Sequence, residues 1–212
     1  MILKKIWTVN DITKQLKGIK VDANVTLKTE KEVLRTDFGE VLFTDYGLSG
    51  PPIMQVSRAV SRVKDNCYIN LDLMPDTDFD SLCKKIENRI SIMPNRTLEE
   101  FFTGMFNKRV GQVILKTAGF KLTQKANEID YKSIKKIARI IKGMEFAVTG
   151  TTGFANAQVT AGGLKTKQFN PKTMESLDCK NLYCVGEILD IDGDCGGFNL
   201  QWAWSSAMCA VD

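Results

Sequence analysis

The sequence contains no histidine. That absence removes Ser-His-Asp and Cys-His nucleophilic catalysis, histidine metal ligands and a histidine-ligated haem, because each needs an imidazole. Its six cysteines (Cys67, Cys83, Cys179, Cys184, Cys195 and Cys209) form no Cys-x-x-Cys pair, which excludes zinc-ribbon and thioredoxin-type chemistry. No apolar run approaches the roughly 18 residues of a membrane-spanning helix. The opening Met1-Ile2-Leu3-Lys4-Lys5-Ile6-Trp7 also lacks the apolar core of a secretory signal. A dinucleotide-binding Gly-x-Gly-x-x-Gly is missing as well. Chemistry must then come from carboxylates, lysines, thiols or a bound cofactor. Unpaired thiols fit a reducing cytoplasm, the expected location.

What is present is 212 residues, 43% of them hydrophobic. At about 150 residues per domain, this allows between one and two domains. Charge is unevenly placed. Residues 151–212 hold four lysines and seven acids, whereas residues 1–150 hold 25 basic and 18 acidic groups. Two segments of different character follow. A net charge of +4 is too weak to call for nucleic acid, and neither nucleic acid nor membrane is expected as a partner.

Residues 1–18 are basic and weakly periodic, with Asn10 and Asp11 available as helix caps. From Lys20 to Leu27 the pattern alternates, placing Val21, Ala23, Val25 and Leu27 on one face of a strand. Lys28–Glu32 reads as a turn, Val33–Thr36 as a strand, Asp37–Glu40 as a second turn and Val41–Thr44 as a third strand. The cluster Asp45–Pro52 predicts a rigid turn, Ile53–Val63 a helix and Cys67–Leu73 a fourth strand. Short, closely spaced strands suggest a meander or small barrel.

Beyond Pro75 the period changes. Asp78 caps a predicted helix carrying Phe79, Leu82, Ile86 and Ile90, which Pro94 ends. Thr97 and Glu100 fit a capping box. Tyr131–Lys142 shows an apolar stripe of Ile134, Ile137, Ala138 and Ile141 opposite Lys132, Lys135, Lys136 and Arg139, a solvated face. Met144–Thr149 is extended again. In the remainder, Gln158–Leu164 reads as a strand into a glycine turn, and Asn181–Gly186 as a buried strand. An acidic glycine-rich loop, Asp190–Gly197, and an apolar helix, Phe198–Met208, follow.

The strand, glycine loop and helix of residues 182–209 carry the strongest chemical signal. A helix N-terminus offers unpaired amides and about half a positive charge, and preceding glycines admit a ligand to the backbone. The same pattern also makes an ordinary βα turn. Asp190-x-Asp192-Gly193-Asp194 fails as an EF-hand, because Cys195 stands at the sixth place and Gln201 at the twelfth. Gly47-Leu48-Ser49-Gly50-Pro51 fails as a nucleophile elbow, because Pro51 stands where glycine is needed. Cys179 and Cys184 read as buried small hydrophobes. No metal site and no catalytic side chain are identified.

Three further blocks carry a resemblance: Leu42–Pro52 (Leu-Phe-Thr-Asp-Tyr-Gly-Leu-Ser-Gly-Pro-Pro), Gln158–Gly163 with Asn170–Ser176, and Leu182–Ser206. Together, in this order, they resemble the BaiN-like NAD(P)/FAD-dependent oxidoreductase flavoproteins across residues 17–209. The resemblance implies an α+β multidomain fold: a small β-barrel and helical insert plus the C-terminal part of an α/β, Rossmann-like FAD-binding domain. Residues 1–18 would be a connector, 19–75 and 144–155 the barrel, 76–143 the helical part and 156–212 the FAD-binding segment. It implies FAD as cofactor and NAD(P)H as a further partner. Gly186 and Glu187 would approach the ribitol and phosphate. Gly196, Gly197, Phe198 and Asn199 would present amides near the flavin's N1–C2=O pole, with Asp194 and Leu200 also among the cofactor-binding residues. The family's ADP-binding Gly-x-Gly-x-x-Gly half has no counterpart here, which implies weak FAD binding by this chain and association with that half or with itself. The alternative is a non-catalytic substrate- or partner-binding module derived from such a flavoprotein.

Overall fold

The computed structural model describes residues 6–8, 11–60, 63, 65–151, 159–160 and 162–211. Asn10, residues 61–62 and 152–155, Gln158 and Ala161, on which parts of the expectations rest, lie outside them. Six strands, β1 (Ile6–Thr8), β2 (Lys20–Lys28), β3 (Val33–Phe43), β4 (Gly47–Ser49), β5 (Cys67–Asp72) and β6 (Met144–Thr151), close a barrel in the order β1-β4-β3-β2-β5-β6. Every pairing is antiparallel. The alternation in β2 places Ala23, Val25 and Leu27 fully inside, facing Ile69 and Leu71 of β5 and packed with Phe43 and Phe146, whose rings lie 6.2 Å apart.

The turn expected at Asp37–Glu40 does not form; β3 is a single strand of eleven residues. Its turn-like residues are held in register by β2, from Val25 opposite Asp37 to Asp22 opposite Glu40, without a shift. The neighbouring strand supplies a complete ladder, and cross-strand pairing overrides local composition. Gly39 serves close approach instead. A Cβ there would stand 3.3 Å from the Pro52 ring of α2 (Pro51–Val60).

The helical part comprises α3 (Phe79–Ile92), α4 (Lys108–Thr117) and α5 (Tyr131–Lys142). Asp78 accepts from the Ser81 amide at 2.9 Å, Asn107 from the Arg109 amide at 3.0 Å and Asp130 from the Ser133 amide at 2.7 Å. The stripe Ile134, Ile137, Ala138 and Ile141 is buried, and it joins the barrel interior in one continuous core. Lys142 locks the end of α5 to the barrel, pairing with Asp72 at 2.6 Å and donating to the carbonyls of Met74 and Thr77. The capping box expected at Thr97 is not made. Residues 98–100 form one short 3-10 turn, and the amides of Leu98 and Glu99 donate to the carbonyls of Gln124 and Leu122. The Glu100 amide, which a capping box would give to the Thr97 hydroxyl, donates instead to the Thr97 backbone carbonyl at 3.1 Å.

The last part has a small core of its own: Phe169, Met174 and Leu189, bordered by Cys184, Val185, Trp202, Cys209 and Ala210. The buried strand expected at Asn181–Gly186 is not formed. Tyr183 makes a single bridge with Glu175, and Leu182 and Tyr183 are nearly half exposed. A strand needs a neighbour along its length, and among the described residues only 174–176 lie alongside, the Ser176 amide donating to the Leu182 carbonyl and the Cys184 amide to the Met174 carbonyl. Cys179 is exposed and Cys184 partly buried, against the expectation that both are enclosed. Helix α6 (Phe198–Val211) forms as expected, yet Phe198, Leu200, Trp204, Met208 and Val211 all face outward, more than half exposed. No helix among the described residues is long and apolar enough to cross a membrane.

The helix caps set a pH dependence. Hydrogen bonds from Ser81 and Ser133 hold the carboxyls of Asp78 and Asp130 below the usual carboxylate range. A depressed folded pKa stabilises the fold above the unfolded pKa near about 3.9, and that contribution is lost as pH falls through the folded value. The Asp78→Asn, Asp130→Asn double variant, which caps without a charge, is expected to lose less stability than the wild type between about pH 5 and pH 3. Urea denaturation across that range checks this, and parallel acid limbs would contradict it.

Candidate cofactor site

The site begins with the chain leaving the small core at Gly186. That residue adopts a left-handed φ of 69°, and a Cβ on it would stand 3.6 Å from the Ala203 Cβ of α6. Both of its backbone groups are claimed by the helix. The Gly186 amide donates to the Ser206 hydroxyl at 2.9 Å, and the Trp202 indole donates to the Gly186 carbonyl at 3.0 Å. Ser206 in turn donates to the Trp202 carbonyl at 2.7 Å and is the one buried residue of α6. Glu187 then turns back to accept from the Thr160 amide at 2.6 Å, and Asp190 accepts from the Gly162 amide at 3.1 Å.

The loop Asp190–Gly197 is fixed from two directions. On the helix side, Asn199 accepts from the Gly193 amide at 2.7 Å and donates to the Gly193 carbonyl at 3.1 Å, stapling the loop to the first turn of α6. On the barrel side, Arg35 of β3 pairs with Asp194 at 2.9 Å, while Arg58 of α2 pairs with the Asp192 carboxylate at 2.6 Å. Arg58 also donates to the Asp192 backbone carbonyl at 3.2 Å. The Asp192 side chain is only 10% exposed.

Between loop and helix lies a cleft of about 390 Å³, lined by Glu187, Asp194, Gly196, Gly197, Asn199 and Leu200 together with the apolar Ile191, Trp202 and Ala203. Six of the eight residues singled out from the sequence thus share one concavity. The other two stand apart from it. Gly186 is buried beneath α6, and Phe198 projects outward, 63% exposed, its ring beside Gly196. Gly197 has a φ of 93°, and a Cβ built on it meets nothing within 4 Å; a side chain there would project into open space at the mouth. The first-turn amides of α6 lack intrahelical partners by construction and carry the positive end of the helix dipole. These amides suit an electron-rich group, and the carboxylates in the same lining are already engaged, Glu187 by the Thr160 amide and Asp194 by Arg35. Among the described residues no group of three or more cysteines, aspartates or glutamates is placed to hold a metal ion.

Cys195 joins this cleft to a second cavity of about 260 Å³ on the barrel, which it shares with Ser49, Gly50, Pro51 and Met54. Burial pushes its thiol up; the nearby carboxylates of Asp194 and Asp37 add to the rise, and Arg35 opposes it. Sequence reasoning missed Arg35, Arg58, Trp202 and Ser206. The two arginines lie more than 130 residues from the aspartates they hold, so no local pattern could have found them.

Removing the Ser206 hydroxyl strips the Gly186 amide of its acceptor in a buried position. Ser206→Ala is expected to lower the local opening free energy at Gly186 and the adjoining turn of α6 by about 1–3 kcal/mol. Hydrogen exchange with residue resolution checks this, with protection in β2 and α5 unchanged. Undiminished protection at Gly186 would contradict it.

Comparison with known proteins places these elements in a family. The model of the HI0933-like protein barrel and H2TH domain matches residues 7–159. The 3-dehydro-bile acid delta(4,6)-reductase of Clostridium scindens is 34% identical over 196 residues, covering 91% of this chain and 48% of that protein. The ribosomal RNA dihydrouridine synthases of Haemophilus influenzae and Escherichia coli are each 31% identical, covering 92% and 93% of this chain and 46% and 47% of theirs. The chain therefore spans about half the length of these curated relatives. It belongs to the HI0933-like, or BaiN-like, flavoprotein family.

Proposed function

We propose that this chain is part of an FAD-dependent oxidoreductase, acting in the cytoplasm, and that the cleft at the N-terminus of α6 receives the flavin end of the cofactor. The observation that carries this reading is the meeting of Gly196, Gly197 and the first turn of α6 in one concavity with Asn199 and Leu200. Electron density on a reduced flavin accumulates at its N1–C2=O pole, which the amides and dipole of a helix N-terminus favour. When bound, FAD supplies the hydride chemistry. This chain's residues position and shield: the glycines admit the ligand to the backbone, Ile191 and Trp202 exclude water beneath it, and Asn199 fixes the loop that forms the rim. Catalysis of this kind needs no histidine.

The names of the relatives suggest a reaction type. A dihydrouridine synthase and a delta(4,6)-reductase of a 3-dehydro steroid both saturate a carbon–carbon double bond conjugated to a carbonyl. We infer the same class, reduction of a conjugated double bond with NAD(P)H as electron source, for the protein of which this chain forms part. The outward apolar row of α6, Phe198, Leu200, Trp204 and Met208, is then the surface that the ADP-binding half of the nucleotide domain, or a second copy, covers.

Since the cleft touches the flavin end alone, FMN and FAD are expected to bind this chain with dissociation constants within about threefold of each other, in the micromolar range or weaker. Gly197→Val, which puts a side chain into the mouth, is expected to weaken both by about tenfold or more. Isothermal titration checks this. Nanomolar FAD binding, no heat with either ligand up to about 1 mM, or indifference to Gly197→Val would contradict it.

A further inference from the structure

Arg35 and Arg58 belong to the barrel, yet each spends its charge on the loop that rims the cleft. They come from different elements, β3 and α2, and reach alternate aspartates, Asp194 and Asp192, of the same loop. Arg58 takes both the carboxylate and the backbone carbonyl of Asp192, an arrangement that fixes the orientation of the peptide and not merely its charge. Neither arginine is fully exposed; each side chain is 28% accessible. The Arg58–Asp192 pair, with Asp192 only 10% accessible, is lost at a cost when one partner is removed, because the other charge is stranded. Between the two aspartates stands Gly193, held by Asn199 of α6. The loop is therefore clamped by both the barrel and the helix. Cys195, next along, is sandwiched between them, lining the cleft on one side and the barrel cavity on the other.

We propose that Arg35 and Arg58 are positioning residues of the cleft: they latch the glycine-rich loop onto the barrel and so hold the Gly196 and Gly197 backbone at the N-terminus of α6. The proposal rests on the flavin reading for its purpose, but not for its test. Cys195 reports the latch directly, because detaching the loop from Ser49, Gly50, Pro51 and Met54 uncovers its thiol. Exposed Cys179 supplies an internal reference, and buried Cys67 and Cys83 report global opening.

Iodoacetamide labelling of the full chain without flavin, read cysteine by cysteine by mass spectrometry, tests it. Arg58→Met is expected to raise the Cys195 rate relative to Cys179 by about tenfold or more, leaving Cys67 and Cys83 protected. Asp192→Asn is expected to raise the Cys195 rate as well, and the double variant Arg58→Met, Asp192→Asn to raise it no further than Arg58→Met alone, because both remove the same contact. A role for Arg58 that does not run through Asp192 would give additive effects instead. An unchanged Cys195 rate in Arg58→Met overturns the proposal, as does parallel acceleration at Cys67 and Cys83 or additivity in the double variant. If the labelling pattern holds while wild type takes up no FMN, the flavin reading fails and the latch stands.

Discussion

A loop made largely of glycine and aspartate has almost no apolar surface with which to hold itself in place, and the cleft depends on such a loop being held. The constraint is met by polar contacts from outside it. Asn199 closes on both backbone groups of Gly193, while Arg58 closes on both the side chain and the carbonyl of Asp192. Exposed ion pairs are individually weak, and Arg35–Asp194 alone would restrain little. The Arg58–Asp192 pair is better placed, with Asp192 largely withdrawn from water. Two grips of opposite origin on adjacent residues fix a short peptide far better than either could, because each removes freedoms the other leaves.

The remainder of the molecule divides by how its apolar surface is buried. Barrel and helical part share a continuous interior that runs from Ala23 and Val25 through Phe146 to Ile137 and Ile141, closed at one end by the Lys142–Asp72 pair. The last part has three buried residues at its centre and leaves the larger share of α6 in water. Stability is expected to follow the same division, since local opening tracks the number of buried apolar contacts. An apolar helix whose outward row includes Trp204 and Phe198 makes physical sense as one wall of a larger layer, in keeping with relatives about twice this chain's length.

How much of this was legible in the sequence differs by element. Period alone located β2, β5 and α5, because their alternation or stripe is also the pattern of burial: Val25 and Leu27 in, Thr26 and Lys28 at the surface, Ile134, Ile137 and Ile141 down one side. Asp78 was readable as a cap because capping is local. Asp37–Glu40 misled, since its turn-like composition cannot reveal a nine-residue partner strand. Asn181–Gly186 misled in the opposite sense: an apolar run looks like a strand whether or not a neighbour exists to pair with it. The glycine loop and α6 were visible as a motif, and most of the residues that motif implicated do converge on one cleft. The arginines that position the loop were not, because their meaning arises from tertiary contact across most of the chain.

The central claim is that the N-terminus of α6 and the glycines before it form a flavin-binding surface. The most direct measurement is amide chemical-shift mapping of the isotopically labelled chain during titration with FMN. The account predicts that the largest shifts fall on Gly196, Gly197, Phe198, Asn199 and Leu200, with the barrel strands nearly silent. Largest shifts elsewhere, as in the cavity between Phe38 and Met105, or no site-specific shifts at all, would contradict it.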